Sequence, residues 1–149
     1  VLDRIKCFPN LDDGATKIIM KAIDISNEYG SDKLNTLHLG LAMISDDWIG
    51  SKFYSDTGID TRQLKSRLID CIKNNIKYDE DLSFEITGID DGNGNYIEFN
   101  GVSNEMKKLI FVLFNIAALK GMALDKWDLY VIAINLEGTG FYRVLSEYK

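Results

Sequence analysis

"NEYGSDKLNTLHLGLAMI", residues 27–44, and "LKGMALDKWDLYVIAI", residues 119–134, are the two stretches on which the fold turns. Each runs from the end of one apolar-periodic segment, through a glycine and a short polar bridge, into a second segment that is almost wholly apolar. Sliding residues 12–54 onto 103–145 at a constant offset of 91 aligns Lys17 with Lys108, Ile19 with Ile110 and Ile25 with Ile116. The same offset aligns Gly30 with Gly121 and Ala42 with Ala133. Matching helix lengths, caps and stop glycines accompany these identities, so the chain reads as two copies of one helical unit. Each copy is too small to bury its own apolar faces, and the two are expected to pack together as one pseudo-twofold domain.

Within the first copy, apolar residues at Ala15, Ile18, Ile19, Ala22, Ile23 and Ile25 follow helical spacing after Asp12 or Asp13, which supplies the cap. Gly30 ends that helix by entering the left-handed region at no steric cost. Thr36 is read as the cap of a second, central helix over 37–44, and a third spans about 48–55. Asp60 is the N-cap candidate of a fourth, with Gln63 placed to complete a capping box. In the second copy Ser103 caps a long apolar-faced segment closed by Gly121, a continuous apolar run covers 129–136, and "EGTG" leads into a last helix from about Phe141. Between the copies the period changes. "SFEITGIDDGNGNYIEF" alternates Phe84 and Ile86, then Ile97 and Phe99, about a turn rich in Gly, Asn and Asp, which is a hairpin signature. The expected fold is therefore all-α, a single domain over 1–149, with repeat one at 12–76, an inserted β-hairpin at 79–101 and repeat two at 103–149.

Composition narrows the functions. With 17 basic and 23 acidic residues the net charge is −6, which repels nucleic-acid backbones and anionic membranes. No apolar run reaches the roughly 18 residues that span a bilayer, and the first residues lack a secretion signal, so a cytoplasmic location is expected. Cys7 and Cys71 have neither metal-knuckle nor disulfide-scaffold spacing. His38 is the only histidine; with no partner base, acid or second ligand near it in sequence, it reads as part of the scaffold. "DDGNG" at 90–94 fails the calcium-loop register because Ile89 and Asn100 fall where carboxylates are required. No Walker loop occurs, and no enzymatic activity, cofactor or metal is expected of these residues.

The motifs above carry a resemblance. A capped helix ending in Gly, a T-x-H start to the next helix at Thr36, Leu37 and His38, and "EGTGFYRVL" at 137–145 resemble the amino-terminal (Clp N) repeat domain of ATP-driven Clp unfoldases. The resemblance implies a protein-interaction module that docks substrates or adaptor proteins for an ATP-dependent chaperone or protease, with an AAA+ ATPase and a protease as partners. The alternative is a free-standing adaptor or regulatory protein without a motor. In some relatives a T-E-H glutamate receives the guanidinium of a phosphorylated arginine and a capping threonine helps hold its phosphate. Here Leu37 and Asp12 replace those residues in copy one, whereas copy two keeps Asp128 and Ser103, with Trp127 and Leu129 beside Asp128. Aromatic side chains favour binding hot spots. The peptide- or adaptor-binding residues expected are thus Trp127, Asp128, Ser103 and Tyr130.

Overall fold

The structure, a computed structural model, describes residues 10–76, 88–90, 96–98 and 101–148. Among them are seven helices: α1 (Asp13–Glu28), α2 (Thr36–Ile44), α3 (Asp47–Thr57), α4 (Thr61–Lys73), α5 (Asn104–Lys120), α6 (Lys126–Asn135) and α7 (Gly140–Ser146). Two short strands, β1 (Gly88–Asp90) and β2 (Tyr96–Glu98), lie between α4 and α5. They pair antiparallel, Ile89 opposite Ile97. The rest of the expected 79–101 insertion, including Phe84, Ile86, Phe99 and the 91–95 turn, lies outside the described residues.

Short polar side chains start every helix. Asp12, Asp46, Asp60, Ser103 and Thr139 each accept a hydrogen bond from an amide in the first turn that follows, satisfying groups the helix cannot pair itself. At α2 the sequence expectation needs correcting. The cap is Asn35, whose Oδ1 accepts from both the Leu37 and His38 amides at 2.9 and 3.3 Å, and Thr36 falls in the first turn. The Thr36 hydroxyl is spent elsewhere, accepting the Phe141 N–H at 3.0 Å. At α4, Asp60 caps the Arg62 amide at 2.8 Å, without the reciprocal Gln63 bond that the spacing suggested. Two further boundaries differ: α3 runs to Thr57, and α6 begins three residues ahead of its apolar run because Asp125 caps it with Asp128 bonding back as the third residue of the first turn.

All nine residues of α2 are buried, which is possible only because the segment carries almost no polar side chain. It packs against α1, α3, α4 and α7. Residues from both halves of the chain, from Leu11 to Leu145, form one buried cluster. The backbone also links the halves. Asp12 N–H donates to Leu124 O at 2.9 Å and Leu124 N–H to Asn10 O at 2.8 Å; Ser103 N–H donates to Leu34 O at 2.9 Å and Leu34 N–H to Gly101 O at 2.8 Å. Through these bonds the start of α1 lies beside the start of α6, and the start of α5 beside the start of α2.

Candidate aromatic docking edge

The α6 start is held by a reciprocal cap. Asp128 N–H donates to Asp125 Oδ1 at 2.9 Å, and Asp125 N–H donates back to Asp128 Oδ2 at 3.2 Å. The other Asp128 oxygen receives the Lys120 ammonium at 2.8 Å. Partial burial alone would raise the Asp128 pKa, but the Lys120 contact and the Asp125 amide outweigh it and hold the carboxyl below its usual range. Asp128 therefore remains ionised and occupied on both oxygens.

Fixing this turn aims Trp127 outward. It is 38% exposed, and its ring meets the edge of Trp48, itself 44% exposed, at a centroid distance of 5.6 Å and an angle of 68°. Tyr130, one turn deeper, contacts Trp127 at 5.6 Å and Phe53 at 6.5 Å. An aromatic ladder thus runs from the surface into the core. Edge-on contacts of this kind add roughly 1 kcal/mol each beyond area burial. Lysines flank its outer rungs: Lys126 Nζ lies 5.3 Å from the Trp48 ring and Lys52 Nζ 5.4 Å from that of Trp127. Each ammonium also has a carboxylate, Asp46 for Lys126 at 3.4 Å and Asp56 for Lys52 at 3.6 Å. Beside the Trp pair opens a cleft of about 400 Å³ lined by Asp12, Gly14, Trp48, Asp125, Lys126 and Trp127.

The Clp repeat (R) N-terminal domain matches residues 10–86, more than half of the chain. The chain belongs to this family. Comparison with curated proteins and with solved structures returned no match.

In this Clp N domain the four expected site residues do not form one cluster. Trp127 and Asp128 share the α6 start, but Tyr130 is only 1% exposed, so it supports Trp127 from below and presents no face to a partner. Its hydroxyl donates to Asp56 at 3.3 Å. Burial, and then the negative charge of Asp56, push the phenol up to about 12. Ser103 is buried as well and belongs to the opposite junction, where its hydroxyl caps the Met106 amide at 3.3 Å and its backbone pairs with Leu34. The sequence reading joined Ser103 to Asp128 by assigning both to one repeat; the backbone pairing between halves separates them. The same pairing brings Asp12, Gly14 and Trp48 to Trp127, residues that spacing along one copy could not assemble. In the sequence Trp48 is marked only as one of several large aromatics suited to lining a groove.

His38 is wholly buried. Its Nδ1 accepts the Asn35 N–H at 3.0 Å, closing a capping box, and its Nε2 lies 2.9 Å from the Ser31 hydroxyl. Burial lowers its pKa from 6.5 to about 4, so the ring is neutral at physiological pH. Both nitrogens are engaged in holding α2, consistent with a scaffold role.

Proposed function

We propose that this Clp N domain is a docking module, presenting the Trp48–Trp127 edge and its cleft to client or adaptor proteins for an ATP-driven unfoldase and protease in the cytoplasm. The supporting observation is the exposed tryptophan pair itself. Two large rings in mutual contact, each more than a third exposed, form an amphipathic anchor of the kind that dominates interface energetics. Docking raises the local concentration of a client near its motor and requires no covalent step on this chain.

The architecture we infer is two copies of one unit related by a pseudo-twofold, with the β1–β2 pair as an insertion. Supporting it, the four inter-half hydrogen bonds fall into two equivalent sets. Asn10, Leu11 and Asp12 stand to Leu124 as Gly101, Val102 and Ser103 stand to Leu34, including left-handed φ values of 73° at Asn10 and 75° at Gly101.

Fluorescence anisotropy with a labelled, permanently unfolded model protein tests the docking edge. Trp127→Ala and Trp48→Ala are each expected to weaken binding tenfold or more while the melting transition stays cooperative. Equal affinity for wild type and both variants would remove the reading.

A further inference from the structure

The junction opposite the tryptophan edge holds a buried carboxyl that docking does not use. Glu105, in the first turn of α5, is 2% exposed. Its Oε1 accepts the Thr36 N–H, at the start of α2, at 2.9 Å and the Ser103 hydroxyl at 3.3 Å; its Oε2 has no hydrogen-bond partner. The Thr36 hydroxyl in turn accepts from Phe141 in α7. Two side chains, Glu105 and Thr36, thus tie the first turns of three helices from both halves of the molecule.

We propose that Glu105 is a proton-operated latch on the α5–α2–α7 junction, closed when the carboxyl is neutral and loosened when it ionises. An ionised carboxylate here keeps the Thr36 and Ser103 donors on one oxygen, with the Gly140 amide near but outside hydrogen-bonding geometry, and carries a charge out of water, a larger penalty than burying the neutral acid. The groups facing it are the Thr36 amide and hydroxyl from α2, the Ser103 hydroxyl ahead of α5, and the Gly140 amide of α7; none is charged. Burial and hydrogen bonds to these uncharged groups account for the environment of the carboxyl. Burial accordingly raises the carboxyl above its ordinary 4.5, with the Thr36, Gly140 and Ser103 groups only partly opposing it. The folded form then holds a proton that the unfolded form releases. Stability from Glu105 is complete below 4.5 and is lost as pH rises through the folded value.

Urea denaturation of the wild type and Glu105→Gln, from about pH 7.5 down to about pH 4.5, reads this out. Because His38 of the unfolded chain takes up its proton near 6.5, which lowers stability on acidification, the observable is the difference between the two proteins. The wild-type midpoint, relative to that of the variant, should rise by a few tenths molar on acidification; parallel curves overturn the proposal. Carbon-13 titration of the Glu105 carboxyl in the wild type decides the matter even if the variant does not fold. A midpoint well above those of the exposed glutamates supports the latch, and one in the ordinary range refutes it.

Discussion

The ring of Phe141 lies against Gly40 so closely that a β-carbon at Gly40 would overlap it. Both residues are buried, one in α7 near the end of the chain and the other in the middle of α2. Glycine inside a helix costs about 1 kcal/mol relative to alanine, and here its missing β-carbon leaves the space the ring occupies.

Gly40→Ala sets that propensity gain against an overpacked core, for which about 1–3 kcal/mol is typical. Phe141 is 1% exposed and has no solvent to retreat into, so the clash should win. Thermal denaturation is expected to show a net loss of stability; an unchanged or raised midpoint would mean that α7 shifts freely.

His38 makes the domain sensitive to acid. Its pKa falls from 6.5 to about 4 on folding, so the unfolded chain binds the extra proton. The contribution is complete above 6.5 and drains away as pH drops toward 4, amounting to roughly 3 kcal/mol at most. His38→Asn should flatten this part of the stability–pH profile, which denaturant midpoints across the range would reveal.

At Asp128, replacement by Ala frees the Asp125 amide and the Lys120 ammonium together. Loss of half the capping box is expected to cost about 1 kcal/mol, and the half-exposed ion pair adds only a few tenths. With both carboxylate oxygens already engaged, millimolar phosphoarginine should leave the tryptophan fluorescence of the wild type unchanged. A saturable response would show that Lys120 yields its place to a guanidinium.

Tyr130 offers an alkaline counterpart. With the phenol pushed up to about 12, stability from the neutral form persists below 10 and disappears as pH rises toward 12. Ultraviolet titration should resolve late-titrating tyrosines, Tyr130 with Tyr148, and Asp56→Asn should move the Tyr130 step earlier by removing its negative neighbour. If all tyrosines titrate together in that variant and the wild type alike, the Tyr130–Asp56 contact is not formed in solution.

Much of the helical frame was legible because its signals are local. Asp12 and Ser103 cap amides three residues on and Asp60 one two residues on, and the stop glycines Gly30 and Gly121 adopt the left-handed φ values of 62° and 69° that their positions demand. The cap of α2 was misread because Asn35 and Thr36 are both good caps. Only the Phe141 amide, arriving from α7, shows why Thr36 is engaged elsewhere. Trp127 and Tyr130 look alike in sequence, yet a separation of three places one at the surface and the other a turn deeper, against Phe53.

The sequence by itself determined the helical class and the scaffold role of His38, because apolar period and capping depend on residues a few positions apart. The tertiary structure alone decided which cap faces which helix start, and so moved Ser103 away from Asp128 and brought Asp12, Gly14 and Trp48 to Trp127. That choice rests on backbone hydrogen bonds between halves, Leu11 beside Leu124 and Leu34 beside Val102, whose partners are too far apart in the chain for local pattern to pair.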